Sequence, residues 1–255
     1  MGLPPADTDP NPNGLQKWNE FLDFCNRNAK ANRWFRGVSD VNHKLVPKIG
    51  RAHQHVLHSW GETVKDNKRE INLANREKRV LDAFKRRALL DLRFMPTNDF
   101  QWLALAQHHG VPTRLLDWTT NPLMAAWFAV GNHSQDAARV AKVHVQFISA
   151  KRKTHEEKLD PFTLKEPAFV VSPQWHPRVR AQRGCFSIHP EPHRPLEPTK
   201  GSDEFLIPQP CWADFRRRLY YFGIDASTVM ADLAGLGEAL TWQFENEIGV
   251  GQVGY

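Results

Sequence analysis

The stretch "QHHGVPTRLLDWTTNPLMAAWFAV", residues 107–130, holds two histidines, a turn, a charged strand and an apolar helix in one passage. Gly110 suits the left-handed residue that ends a helix, and Pro112 stops that helix from resuming, so a helix is predicted over Asp99–His109. Thr113–Trp118 then reads as a strand. Asn121 is a good N-cap, and Pro122 suits the first helical position, where a missing N–H costs nothing. The helix that follows, "LMAAWFAV", is apolar around its circumference and belongs in the core, with Ala125, Ala126 and Ala129 permitting close backbone approach. A plain core segment has no use for His108, His109, Arg114, Asp117 and Trp118 together, because each buried polar group destabilises unless it is hydrogen-bonded. The excess of polar side chains marks a site.

Upstream, Leu15, Trp18, Phe21, Leu22 and Cys25 recur at helical spacing and predict an amphipathic helix over Leu15–Ala29. "RWFRGVS" predicts a short strand, with Gly37 at a bend or close backbone approach and Arg36 on its edge. Lys65–Arg93 reads as a long helix with Leu73, Val80, Leu81, Phe84 and Ala88 facing inward. Between Arg51 and Arg93 there are eleven Lys/Arg against six Asp/Glu, a balance that suits a solvated face or a nucleic-acid contact through Lys78, Arg79, Arg86 and Arg87.

Downstream, Arg139–Ile148 alternates Val143, Val145 and Phe147 with His144 and Gln146, the period of a half-exposed strand. Ala168–Ser172 and Asp203–Pro208 predict two more strands. In "RVRAQRGCFSIH" the residues Arg180, Gln182, Phe186 and Ile188 share one parity, which aims Gln182 at the apolar face if Gly184 introduces no bulge. Two closing helices are expected, the second starting near Asp225. No repeat or linker interrupts the pattern, so the chain reads as one α+β domain over residues 15–245. Residues 1–14 form a polar, disordered tail and residues 246–255 a loose one.

With 255 residues, 41% hydrophobic and 24% charged, the chain can bury a substantial core, and no apolar run approaches the roughly 20 residues of a membrane span. No membrane partner is expected. The opening residues lack the basic and apolar regions of a signal peptide. Cys25, Cys185 and Cys211 are too few and too scattered for a disulfide framework or a zinc site, and a reducing cytoplasm fits them. His53, His55 and His58 lack accompanying cysteines, so no metal cofactor is expected. Neither a Gly-x-Ser-x-Gly elbow nor a Walker loop is present. A net charge of +6 favours an anionic partner, either a nucleotide or other small anion, or a nucleic acid.

Phe35-Arg36-Gly37, "LALAQHHGVPTRLLDWTTNPLMAAWFAV", "RVRAQRGCFSIH" and, more weakly, "LYYFGIDASTVMADLAGLGEAL" together resemble the FRG domain family, named for its aromatic-Arg-Gly motif. The order of these segments also resembles, more distantly, that of ADP-ribosyltransferases. This likeness implies a split, mainly antiparallel β-core flanked by helices, with NAD as the substrate. Arg36, beside Gly37, would hold the dinucleotide's phosphates, Thr119 or Thr120 would supply the hydroxyl, and Gln182 would stand where those enzymes carry a catalytic glutamate.

A glutamine can hydrogen-bond a ribose hydroxyl but brings no negative charge to an oxocarbenium-like transition state, so a carboxylate from Asp117, Glu191 or Glu204 would have to serve. Spacing does not choose among them. Arg114 and Trp118 complete the candidate nucleotide-binding set, Trp118 as a stacking face and alternatively as a core anchor. Arg36 binds a pyrophosphate or pairs with Asp117. Asp117 orients His108 or His109 for acid–base work, or the histidines satisfy carbonyls at the helix end. Thr120 and Asn121 would cap the helix from Pro122, whose N-terminus would face a phosphate. The enzyme so implied transfers or hydrolyses ADP-ribose, as a transferase or an NAD glycohydrolase. The alternative is a non-catalytic nucleotide- or RNA-recognition module, with a stress or antiphage role suggested by the company such domains keep.

Overall fold

A computed structural model describes residues 12–51, 66–92, 94–131, 138–171 and 177–248. The strands are β1 (Arg33–Val38), β2 (Leu115–Thr119), β3 (Val140–Phe147), β4 (Lys153–Thr154), β5 (Ala168–Val171), β6 (Gly184–Ile188) and β7 (Asp203–Pro208). They form one sheet in the order β4-β5-β6-β2-β1-β3-β7, antiparallel except for the β4–β5 pair. The expected α+β class with a mainly antiparallel sheet flanked by helices is observed.

Strand β1 pairs with β3 from Arg33↔Phe147 to Val38↔Lys142, and β2 pairs with β6 from Leu115↔Ile188 to Thr119↔Gly184. Between β1 and β2 the register holds the single pair Phe35↔Thr119. The sheet therefore parts at its centre. On one face, α1 (Pro12–Arg27), α4 (Pro122–Val130) and α6 (Trp212–Tyr221) bury Trp18, Phe21, Met124 and Phe215 against Phe35, Val143 and Val145. Beside this group, α3 (Asp99–His108) and α2 (Asp66–Ala88) set Phe100, Leu103 and Leu81 against Leu115, Phe186 and Ile188. The other face buries Trp34, Leu116, Trp118 and Phe169.

Local signals account for the elements around the central passage. Asn98 and Asn121 cap α3 and α4 through their side chains, Pro122 opens α4, and Gly110 adopts φ 87° after α3. Gly37 answers its own question. A Cβ there would lie 1.9 Å from the Ala125 carbonyl oxygen and 2.6 Å from the Ala129 nitrogen, so α4 rests directly on the β1 backbone.

Other expectations are corrected. Residues 178–183 are not strand: Pro177–Ala181 form a short helix, α5, and Arg183 turns the chain at φ 47° into β6. The parity reading of Gln182 thus fails, because a helix and a turn precede Gly184. The second closing helix is two, α7 (Ala226–Met230) and α8 (Leu233–Glu245), separated by Ala231 at φ 53° and capped by Asp225 and Asp232. Val80, Leu15 and Phe147 are exposed. On α2 the inward position is taken by Glu77, four residues after Leu73 and four before Leu81. On β3, Gln146 is buried because its carbonyl oxygen accepts from Thr199 N at 2.9 Å and Ser202 Oγ at 2.7 Å.

Helix α1 begins at Pro12, while residues 1–11 and 249–255 of the expected tails lie outside the described residues, as do His53, His55 and His58. Ile248 is buried, and its N–H donates to Gln243 O at 3.0 Å. No helix among the described residues is long and apolar enough to cross a membrane.

Candidate functional site

Where β1 and β2 part, a cavity of about 390 Å³ opens between the two helix groups. Strand parity sets its wall. Asp117 and Thr119 alternate with Trp118 along β2, so the carboxylate and hydroxyl leave one face while the indole enters the core behind. Of the residues expected at a site, Arg36, Gly37, His108, Asp117, Trp118, Thr119 and Gln182 line the cavity.

Arg36 reaches across the parting. Its Nη1 donates to the Asp117 carbonyl oxygen at 2.6 Å and lies 3.9 Å from Asp117 Oδ2. Its side chain is 17% exposed, whereas that of Asp117 is 63% exposed. Burial lowers the Arg36 pKa from its ordinary value, Asp117 opposes that shift and the Arg51 charge adds to it. The anticipated Arg36–Asp117 pairing is real, yet it leaves the guanidinium on the cavity wall. Asp117 is held from the other side by Gln107, whose Nε2 donates to Oδ1 at 2.8 Å and whose carbonyl oxygen accepts from Thr113.

Thr119 and Gln182 meet as well, through the backbone. Thr119 Oγ1 donates to the Gln182 carbonyl at 2.7 Å and accepts from Asn121 N at 3.0 Å, so this hydroxyl fixes the turn before α4. Gln182 Nε2 donates to Val229 O at 3.1 Å, and its side-chain oxygen has no partner among the described residues. His108 stacks edge-on against His109, with ring centroids 4.9 Å apart.

Three expectations change. Arg114 is sealed away from the cavity: its Nε and Nη2 donate to Glu77 Oε2 at 2.8 and 2.7 Å, and its Nη1 to Pro161 O at 2.9 Å. A guanidinium so buried beside a carboxylate is a fold element. The Trp118 indole is no stacking face, since its Nε1 donates to Ser187 Oγ at 2.9 Å inside the core. Thr120 is exposed and off the cavity wall, and Asn121 caps α4, so the helix meets the cavity at Ala125 and Phe128 and not at its N-terminus.

Residues that sequence reasoning missed complete the wall. Arg51 and Arg178 bring further guanidinium groups, His43 stands at the edge, and Phe128, 39% exposed, offers an aromatic face. Basicity was a visible signal at Arg51 and Arg178, but nothing local distinguishes them from the chain's other arginines. Among the described lining residues the fixed charges are Arg36, Arg51 and Arg178 against Asp117. Glu204 pairs with Lys142 at 3.0 Å and Glu191 with Arg194 at 2.9 Å, both away from this cavity. No group of three His, Cys, Asp or Glu residues converges among the described residues.

No curated protein and no solved structure matches the chain. Residues 31–138 match the FRG domain, a span that holds β1, α2, α3, β2 and α4 and with them Arg36, Gly37, His108, Asp117 and Thr119. The chain carries an FRG domain.

Proposed function

We propose that this cavity binds an anionic nucleotide of the NAD class, with Arg36, Arg51 and Arg178 toward its phosphates and Phe128 against a base. The observation that carries the reading is the lining itself, which among the described residues sets three guanidinium groups beside one carboxylate. Guanidinium forks suit phosphate oxygens, and about 390 Å³ lies within the roughly 300–1,000 Å³ of small-molecule sites. The ADP-ribosyltransferase-like reading draws support from the parted sheet with an arginine across it.

For transfer or hydrolysis of ADP-ribose, Asp117 is the carboxylate available to stabilise positive charge developing on the ribose. The free side-chain oxygen of Gln182 accepts from a ribose hydroxyl, and His108 is the acid–base candidate. Binding without turnover is the non-catalytic form of the same proposal. The basic helix is a weaker site for RNA, because Asp82 lies among Lys78, Arg79 and Arg86 on the exposed face of α2.

Isothermal titration with NAD and with ADP-ribose tests binding. Arg51→Ala and Arg178→Ala, which keep the Arg36–Asp117 bridge, each weaken it about ten-fold or more, the loss of a charge-assisted hydrogen bond worth roughly 1.5–3 kcal/mol. Asp117→Asn abolishes any NAD consumption while retaining binding. No heat from either ligand, together with no thermal protection, refutes the proposal.

A further inference from the structure

A second cavity, about 440 Å³, shares no lining residue with the first. Its walls come from Arg152 beside β4, from Lys165 before β5, and from the loop of His189, Glu191, Arg194 and Glu197 after β6. Arg194 and Glu191 neutralise one another at 2.9 Å. Arg152 lies over the Phe169 ring at 5.7 Å, and Lys165 has no partner among the described residues.

The buried end of this cavity is His189, 2% exposed. Behind it runs a chain of hydrogen bonds: Trp118 Nε1 to Ser187 Oγ at 2.9 Å, and Ser187 Oγ to His189 Nε2 at 2.8 Å. An indole N–H only donates, so Ser187 accepts from Trp118; the Ser187 hydroxyl has no other acceptor among the described residues, which assigns its proton to His189 Nε2. A neutral imidazole that accepts at Nε2 carries its proton on Nδ1. Burial keeps the ring neutral, its pKa pushed down from 6.5 to about 3, and the Arg36 and Arg114 charges add to that. Nδ1 makes no hydrogen bond among the described residues, and His189 lines the cavity, so Nδ1 is the ring nitrogen left to face a ligand.

We infer that this second cavity is a binding site for a small molecule bearing an oxyanion, phosphate or carboxylate, with the His189 Nδ1–H at its floor and Arg152 and Lys165 at its rim. The chain of donors is fixed from inside the core by Trp118 and Ser187, so the site is set before any ligand arrives. A donor held at the floor of a cavity can exchange water for an oxyanion, and the charge-assisted bond so formed is the stronger one.

The test follows histidine ring nitrogens of the full-length, nitrogen-15-labelled protein by long-range proton–nitrogen correlation, with inorganic phosphate and malonate as separate probes. The His189 ring is assigned by its displacement in Ser187→Ala. The free protein is expected to show His189 protonated at Nδ1, with saturable shifts on adding phosphate, malonate or both. A response to one probe alone names the phosphate or the carboxylate source. In Arg152→Ala/Lys165→Ala the half-saturation concentration rises about ten-fold, while Arg51→Ala, in the first cavity, leaves it unchanged. If Ser187→Ala fails to fold, assignment by His189→Gln serves the same purpose. Protonation at Nε2, the absence of saturable shifts with both probes, or equal weakening in Arg51→Ala overturns the inference.

Discussion

Replacing Glu77 by alanine should be among the most damaging single changes available in this chain. Glu77 and Arg114 have side chains only 1% and 2% exposed, and the carboxylate accepts from Arg114 N, Nε and Nη2 at 2.8, 2.8 and 2.7 Å. Removing it strands a guanidinium whose remaining contacts are Pro161 O at 2.9 Å and the Phe162 ring at 4.5 Å. Breaking a buried pair from one side costs about 3–5 kcal/mol, because the surviving charge stays desolvated without its counter-ion. At roughly 2–4 °C per kcal/mol for a chain of this size, melting should fall by about 6–20 °C. Urea denaturation, read by linear extrapolation, measures the loss directly. Glu77→Met/Arg114→Leu removes both charges and should lose less than the two single changes summed, since apolar replacement of a buried pair is often close to neutral. A Glu77→Ala protein within about 1 kcal/mol of the parent, the range of a surface pair, would refute this account of the contact.

Gly37→Ala should destabilise at or above the upper end of the roughly 1–3 kcal/mol typical of overpacking, because the new methyl meets the backbone of Ala125 and Ala129, which cannot rotate aside; thermal melting checks it. Acid should weaken the fold before the carboxylates titrate. Burial holds His144 at about 4, with Lys142 and Arg36 adding to the shift and Glu204 opposing it, and holds His189 at about 3, both down from 6.5. Below about pH 6.5 the unfolded chain takes up protons that the folded one refuses, so stability falls by about 1.4 kcal/mol per pH unit for each histidine until the folded values are passed. Urea midpoints between about pH 7 and pH 5 should show this fall, and a flat profile would contradict the buried, neutral rings. Burial also raises the Cys25 and Cys185 thiols to about 12, so a thiol reagent near pH 8 should label them slowly in the native state and fast in urea.

What the sequence disclosed about residues 107–130 was local chemistry. Gly110, Asn121 and Pro122 act through their own backbone or the next turn, and each stands where its type predicts. The polar excess in the same passage was legible as a fact but not in its meaning, because its members part company over long distances in sequence. Arg114 is claimed by Glu77, 37 residues earlier, and Trp118 by Ser187, 69 residues later, whereas Asp117 turns the other way into the cavity. Parity separates Asp117 from Trp118 without partners being known, but it cannot say that Arg114 has a carboxylate waiting on α2. Gln182 fell to the opposite error, since a period of two was read through residues that are helical.

The cavity's cations explain why no single motif could have announced it. Arg36, Arg51 and Arg178 come from β1, from the segment after it and from α5, and they meet because the sheet parts beside Phe35↔Thr119. The signature passage supplies the carboxylate and the packing, while most of the positive charge arrives from outside it. Grafting that passage alone onto another scaffold would transfer Asp117 and the α4 packing but not the attraction for an anion. The same division predicts where variation matters. Changes within residues 107–130 should chiefly affect folding and any chemistry at Asp117. Changes at Arg51 should alter affinity while leaving the melting temperature nearly untouched.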